Sequence, residues 1–175
     1  MTNLFAADTW LIKDSRKAEM QKLDVSFGLA LQVANIVKDC MEDSARRVCF
    51  VPEEICRRHG FEHSFDMFAE GADKKSCAAA LGELVQKAWK HLDDAIAYTK
   101  LIPRVNMRTR LFCLWPLLMA AENLSLIGDG LSVFVSDKKV KITRDDVKNI
   151  VKNTMRHFYS NKWIDETYNK LKPSH

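Results

Sequence analysis

Two aspartates four residues apart, Asp39 and Asp43, are the part of this sequence best suited to carry chemistry. They lie in the stretch QVANIVKDCMEDS, residues 32–44, which is otherwise typical of a buried helix. Residues four apart in a helix share a face, so both carboxylates point the same way. Carboxylate oxygens are ligands that Mg2+ prefers, and Mg2+ often shares its remaining positions with phosphate oxygens. The pair therefore suggests a metal-assisted site for a diphosphate-bearing substrate.

A narrow polar stripe extends along the same predicted helix. On a helical wheel of about 100° per residue, Gln32, Asn35 and Asp43 fall within about 40° of Asp39. Gly28 lies on this stripe too, while the other faces are apolar. A glycine in mid-helix costs about 1 kcal/mol, which suggests that something approaches the backbone closely there. Two interpretations stay open: a metal and substrate site, or the ordinary solvent-exposed face of an amphipathic helix.

Other polar clusters are weaker candidates. Glu62, Asp66 and Glu70 are also four apart, but they alternate with phenylalanines and are typical of a solvated face. His59 and His63 have the spacing of a zinc pair, yet a glycine lies between them and no third ligand is evident. The sequence contains no glycine-rich phosphate loop and no nucleophile elbow. The aspartate pair is therefore the candidate to pursue.

The composition is that of an ordinary globular domain. The chain has 175 residues, 47% of them hydrophobic and 29% charged, enough for one domain with a real core. A net charge of +4 is too small to indicate a nucleic-acid partner. The excess of Lys and Arg falls in residues 137–175, where a solvated helix face is the simple explanation. Attraction of this segment to an acidic membrane surface stays open.

The cysteines and the apolar runs bear on the cellular location of the protein. Five cysteines, an odd number without a CxxC motif, are expected to be reduced thiols in a cytoplasmic protein. No secretory signal is visible at the N-terminus. The longest uninterrupted apolar run, residues 111–121, is too short to span a bilayer. We therefore expect a protein that is soluble or at most peripheral to a membrane.

Hydrophobic periodicity and capping residues predict an all-α bundle. The predicted helices lie at about 17–44, 52–60, 74–101, 107–127, 143–159 and 161–171. Pro52 suits the first position of the short second helix, and Thr143 suits an N-cap. The stretch SVFVSDKKVKIT, residues 132–143, is expected to be a loop with a brief extended piece. The mostly apolar helix at 107–127 requires neighbours that enclose it.

Two separated stretches resemble the squalene/phytoene synthase family. Residues 28–55, GLALQVANIVKDCMEDSARRVCFVPEEI, are similar to the second aspartate-rich motif of that family and the segment after it. Residues 102–120, IPRVNMRTRLFCLWPLLMA, resemble the squalene synthase branch in the pattern Phe-Cys-x-x-Pro-x-x-Met-Ala. The two stretches occur in the order that the family shows, which makes the resemblance fairly specific.

The resemblance implies an isoprenoid synthase-type helical bundle and the Mg2+-dependent head-to-head condensation of two prenyl diphosphates. It makes Asp39 and Asp43 the metal ligands and catalytic residues. It implies that the substrate is bound by Gln32, Asn35, Lys38, Glu42 and Phe50. Reduction by NADPH is implied by analogy with squalene synthases only. Two residues depart from the family pattern, since Lys38 and Val48 stand where the family usually has arginines.

The family also has a first aspartate-rich motif well upstream of the second, whereas this sequence begins almost at the second. We therefore expect residues 1–175 to form a single α-helical domain that corresponds to the C-terminal half of the family fold. Such a chain should be inactive alone. Either it is a fragment or truncated reading frame, or another polypeptide supplies the missing half. The alternative is a non-catalytic helical interaction module that retains the fold. A third reading is an unrelated bundle with an accidental match.

Overall fold

The computed structural model describes residues 14–136 and 138–173, and these residues contain helices and connecting segments but no strand. The prediction of an all-α fold is therefore confirmed. The elements are α1 (Asp14–Ala45), α2 (Glu53–Arg58), a 3₁₀ helix (Ser64–Phe68), α3 (Lys74–Leu101), α4 (Met107–Ile127), α5 (Leu131–Val135), α6 (Arg144–His157) and α7 (Asn161–Leu171). Most predicted boundaries agree to within three residues.

The packing of α1 against α3 forms the largest helix interface. Helix α1 buries one face, on which Phe27, Ala30, Ala34 and Val37 follow helical spacing. These small and medium side chains meet a long apolar stripe on α3. Each leucine that is fully buried in such an interface contributes about 2 kcal/mol. The opposite face of α1 stays exposed, and that face carries the polar stripe.

Helix α4 lies in the middle of the bundle, in contact with α1, α3, α6 and α7. The expectation that this apolar helix is enclosed by neighbours is therefore confirmed. Among the described residues, α4 is also the one helix that could cross a membrane by length and composition. However, 56% of its most apolar window is buried in the bundle, and the core helix of a globular protein has the same composition. The cytoplasmic or membrane-peripheral location stays a prediction.

Polar side chains cap the helices that follow connecting segments. Asp73, Asn106, Thr143 and Ser160 each accept a hydrogen bond from a backbone N–H in the first turn. Such bonds satisfy donors that have no partner within the helix. The prediction that Thr143 is an N-cap is confirmed. The cap sets the residue at which α6 begins. The segment before it contacts the polar face of α1 through Lys139, which pairs with Asp39.

Two predictions about the connections were wrong. Residues 131–135 form the short helix α5 instead of a loop, because Gly130 turns the chain back towards α3 with a φ of 93°. Only glycine adopts that conformation readily. Pro52 was expected at the first helical position of α2, but it lies at the N-cap with an extended ψ of 129°, and the helix begins at Glu53. Residues 136 and 138–143 lie in the connecting segment between α5 and α6, as expected.

The described residues do not make the close approach that was expected at Gly28. None of their heavy atoms lies within 4 Å of the place where a Cβ of Gly28 would be. A close approach is found at Gly82 of α3, where an added Cβ would lie 2.8 Å from the backbone oxygen of Asp129. Glycine is therefore required where the chain leaving α4 crosses α3.

The cysteines are all free, and four of the five are buried. Burial raises the pKa of Cys40 and Cys113 to about 12, which keeps both thiols protonated and unreactive. The expected core position is confirmed for these four cysteines, and their reduced state stays a prediction.

Arg110 holds the second half of the bundle together. Its side chain is fully buried, and its three nitrogens donate hydrogen bonds of 2.7, 2.7 and 2.6 Å. The acceptors are the backbone oxygens of Phe158 and Ile102 and the side-chain oxygen of Asn161. One guanidinium thus ties the end of α3, the start of α4 and the junction of α6 with α7. Burial lowers the pKa of Arg110 to about 10, so the group remains charged at neutral pH.

We predict that Arg110→Met lowers the free energy of unfolding by about 3 kcal/mol, because it leaves buried oxygens without donors. Urea unfolding followed by circular dichroism measures this loss. Arg108→Met is the matched control, since Arg108 is exposed on the same helix. Equal stability of the two variants would contradict the role assigned to Arg110.

Candidate active site

Asp39 lies at the centre of a cluster of charged side chains. Its Oδ1 accepts a hydrogen bond of 2.6 Å from Nζ of Lys139, and its Oδ2 lies 2.9 Å from Nζ of Lys38. The Lys139 ammonium also lies 2.7 Å from Oε2 of Glu42. We call Lys38, Asp39, Glu42 and Lys139 the charged cluster. Three of its members come from consecutive turns of α1, and the fourth comes from a segment 100 residues away.

The charged cluster keeps its carboxylates ionised. Burial alone would raise the pKa of Asp39, but the hydrogen bonds and positive charges of Lys139 and Lys38 outweigh it and lower that pKa. The hydrogen bond from Lys139 likewise lowers the pKa of Glu42. Burial opposes the charge on Lys139, yet its two carboxylate partners raise its pKa. All of these groups are therefore charged at neutral pH.

Asp43 lies one turn further along α1, at the end of the helix. Its backbone oxygen accepts hydrogen bonds from the N–H groups of Arg46 and Val48, at 2.9 and 3.0 Å. Within residues 14–136 and 138–173, its half-buried carboxylate has no ion pair. The two aspartates thus differ: Asp39 is already paired with two cations, whereas Asp43 is available to a ligand.

A groove of about 360 Å³ lies between α1 and α4, next to the charged cluster. Apolar and small side chains form most of its lining, and amide and ammonium groups lie around it. The lining residues are Leu31, Ala34, Asn35, Lys38, Pro116, Met119, Ala120, Asn123, Lys141 and Ile142. A site of this kind suits a ligand with an apolar body and a charged or polar end.

Residues 138–142, which we call the strap, belong to the segment that connects α5 to α6. Two of them, Lys141 and Ile142, line the groove between α1 and α4. Asn123 of α4 holds the strap, because its side-chain oxygen accepts a hydrogen bond of 3.0 Å from the N–H of Ile142. The amide nitrogen of Asn123 in turn donates to the backbone oxygen of Met119 at 2.8 Å. Lys139 attaches the strap to α1 through the charged cluster. The strap therefore connects α4 to the aspartate motif.

The structure brings together five of the seven predicted site residues. Asn35 and Lys38 line the groove, Asp39 and Glu42 belong to the charged cluster, and Asp43 follows on the same helix. Gln32 and Phe50 lie outside the groove and outside the charged cluster. Gln32 is exposed on the outer side of α1, and Phe50 is 57% exposed in the segment after it.

The full stripe of Gln32, Asn35, Asp39 and Asp43 does not line one cavity within the described residues. The sequence reasoning also missed Lys139, Asn123 and Lys141. The basic stretch KKVKI at residues 138–142 was visible, but no local pattern shows that it reaches α1.

The two aspartates fit a magnesium ion in ligand type and spacing. Mg2+ is commonly held by one or two carboxylates together with substrate phosphates. In the part of the chain that the structure describes, no group of three or more His, Cys, Asp or Glu side chains could hold a metal. A site here therefore needs oxygen ligands from elsewhere, such as a diphosphate. Nε2 of His59 lies 3.4 Å from Oε2 of Glu83, and among the described residues neither His59 nor His63 belongs to a group of three that could hold a metal.

The sequence of the chain is similar to those of known proteins. Residues 1–146 match the family model described as squalene/phytoene synthase. The squalene synthase of Homo sapiens is 28% identical over 141 residues, covering 81% of this chain and 32% of that protein. Squalene synthase of Ganoderma lucidum is 27% identical over 140 residues, covering 74% of this chain and 29% of that protein. The squalene synthase of Cyberlindnera jadinii is 30% identical over 121 residues, covering 69% of this chain and 26% of that protein.

A solved structure has the same fold. It is described as the complex structure of TcSQS with the ligand E5700, and it superposes with a TM-score of 0.75 at 23% sequence identity. The match covers 91% of this chain and 44% of that chain. The bundle is therefore of the squalene synthase type. The chain spans less than a third of the length of the curated relatives named above.

We predict that Asp39→Asn lowers the free energy of unfolding at pH 7 by about 1 kcal/mol, the size of a favourable ion pair at a partly exposed site. Folding lowers the pKa of Asp39, so its stabilising effect is complete above the ordinary pKa of about 3.9. That effect is lost as the pH falls through the lower value of the folded chain. The difference between wild type and variant should therefore shrink below about pH 4.

Urea unfolding at a series of pH values tests this prediction. Asp43→Asn is the matched control, because it removes a carboxylate without an ion pair among the described residues. An equal loss of stability at pH 7 in both variants would contradict the stabilising role of the charged cluster.

Proposed function

The chain belongs to the squalene/phytoene synthase family, and on that premise we propose that it forms part of a prenyl transferase site. The proposed reaction is the Mg2+-dependent head-to-head condensation of two prenyl diphosphates, with farnesyl diphosphate as the substrate. The observation that carries the proposal is the position of Asp39 and Asp43, one turn apart on α1, beside the groove of mixed character between α1 and α4.

Each end of the groove has a separate role in this proposal. Asp39 and Asp43 would hold Mg2+, with Glu42 supporting them. The metal, when bound, supplies positive charge that stabilises the departing diphosphate. Lys38 and Asn35, which line the groove, orient the diphosphate. Lys38 provides a point charge in place of the two-pronged contact that an arginine would make.

The apolar part of the groove binds the prenyl tail in this proposal. Leu31 and Ala34 of α1 face Pro116, Met119 and Ala120 of α4 across it. Burial of an isoprenoid chain against these residues is favourable by about 25 cal/mol per Å² of apolar surface. The same lining excludes water from the carbon that becomes electron-deficient when diphosphate leaves.

We propose that a second polypeptide completes the site. The exposed side of α1 supports this, because Val25 is 68% exposed there and Gly28 and Gln32 follow on the same side. This open face lies next to the half-formed site and leaves room for a helical partner. The partner would supply the remaining oxygen ligands and the second wall. Use of NADPH is proposed by analogy with squalene synthases alone.

The second candidate function is a helical interaction module without catalysis. The charged cluster favours it, because both oxygens of Asp39 are satisfied by Lys38 and Lys139 without a metal. In that case the aspartates would contribute to stability only. The binding experiment below separates the two functions.

We predict that the chain binds a non-hydrolysable farnesyl diphosphate analogue only in the presence of Mg2+. The double variant Asp39→Ala/Asp43→Ala should bind at least about tenfold more weakly, because each aspartate supplies an oxygen ligand. Isothermal titration calorimetry measures the affinity. The titration is repeated with the upstream half of a related squalene synthase added, so that an incomplete site is not mistaken for no site.

The control for this prediction is Glu62→Ala/Glu70→Ala, which removes two exposed negative charges from another surface. It should bind like wild type. If the aspartate variant binds the analogue like wild type in both titrations, the chain is an interaction module and not a half-site.

The groove gives a second prediction. Ala120→Trp should fill the space between α1 and α4 and weaken binding of the farnesyl analogue by about tenfold, because it excludes the apolar tail. Binding of inorganic pyrophosphate with Mg2+ should be unchanged. Equal weakening for both ligands would place the tail elsewhere. Ala79→Trp, at an exposed position of α3, is the matched control.

A further inference from the structure

We infer that Lys139 competes with the divalent cation for the aspartate motif, so that metal binding releases the strap from α1. This inference rests on the proposed function, and it adds a device that couples metal loading to opening of the groove.

The first step is the position of the Lys139 ammonium. It lies 2.6 Å from Oδ1 of Asp39 and 2.7 Å from Oε2 of Glu42, bridging two carboxylates as a cation would. The other oxygen of Asp39 is paired with Lys38. Mg2+ needs its oxygen ligands at about 2.1 Å, where no ammonium can share the same lone pair. A metal that takes the lone pair of Oδ1 now facing Lys139 must therefore displace the ammonium, and a metal on the other lone pair would still be repelled by the positive charge of Lys139.

The second step is the balance of charge. Asp39, Glu42 and Asp43 bring three negative charges, while Lys38 and Lys139 bring two positive charges. Arg46 adds a weaker attraction to Glu42 from the end of α1. Removing the Lys139 charge would leave the carboxylates with one ammonium in direct contact. A single charge at this distance changes the proton affinity of a carboxylate by about tenfold or more. The affinity of the carboxylate for a divalent cation should change at least as strongly.

The third step is the connection from Lys139 to the groove. Lys141 and Ile142 of the strap line the groove, two and three residues beyond Lys139. On its other side the strap is held by the bond between the Ile142 N–H and Asn123. Within the described residues, Lys139 makes the side-chain ion pairs between the strap and α1. Its release would therefore free the strap beside the groove while the bond to α4 remains.

The first test measures Mn2+ binding to the full chain by electron paramagnetic resonance, with no substrate present. Lys139→Met should bind Mn2+ about tenfold more tightly than wild type, because it keeps the apolar stem and removes the competing charge. Lys139→Arg retains the charge and should show no such gain. Lys138→Met, which removes the charge of the exposed neighbouring residue, should bind like wild type.

The second test measures the mobility of the backbone of residues 138–142 by 15N nuclear magnetic resonance relaxation, which does not depend on activity. Addition of Mg2+ should increase the mobility of the strap in wild type. In Lys139→Met the strap should be mobile before any metal is added, and Mg2+ should change it little. Thermal unfolding of each variant verifies that the bundle is intact.

Equal or weaker Mn2+ binding by Lys139→Met would overturn the inference. If wild type and Lys139→Met bind equally and Asp39→Ala/Asp43→Ala does not bind, the metal site of the proposed function stands and only the competition fails. If none of these chains binds Mn2+ even with the upstream half of a related enzyme added, the metal site and the competition both fail.

Discussion

The packing of α1 against α3 is the constraint on which the rest of the structure depends. Small residues at Ala30 and Ala34 let the two long helices approach closely, and this interface determines which face of α1 is buried. The motif residues Asp39 and Asp43 lie away from the buried side. Were α1 rotated by a quarter turn, the carboxylates would enter an apolar core at a large energetic cost. The hydrophobic core thus presents the polar stripe at the surface.

The site is assembled from elements that are held in place by polar contacts. Arg110 ties three helix ends together through buried hydrogen bonds, and Asn123 holds the strap against α4. Asn123 is neutral, and the hydrogen bonds of Arg110 go to backbone and amide oxygens. The strength of these contacts therefore does not depend on whether carboxylates are ionised. The charged cluster is different, because it is partly exposed and depends on ion pairs that salt and pH weaken. The contacts between helix ends should therefore be insensitive to salt and pH, whereas the ion pairs at the aspartate motif should weaken with both.

The cluster also shows how a carboxylate motif is stabilised without a metal. Three acidic side chains close together on α1 would repel one another, and Lys38 and Lys139 reduce that repulsion. This balance stabilises the fold but competes with a ligand cation for the same oxygens. Lys139 thus stabilises the fold by pairing with Asp39 and Glu42, and the same pairing would weaken the binding of a cation there.

The sequence by itself determined the helices and the candidate motif. Periodicity predicted Lys74–Leu101 and Met107–Ile127 to the residue, since apolar spacing and flanking Pro and Gly residues act locally. The spacing of Asp39 and Asp43 likewise follows from helix geometry alone. Only the tertiary structure decided that Lys139 pairs with Asp39 and that Gln32 stays outside the groove. Contacts between residues 100 positions apart arise from how helices pack, and no local pattern encodes that packing.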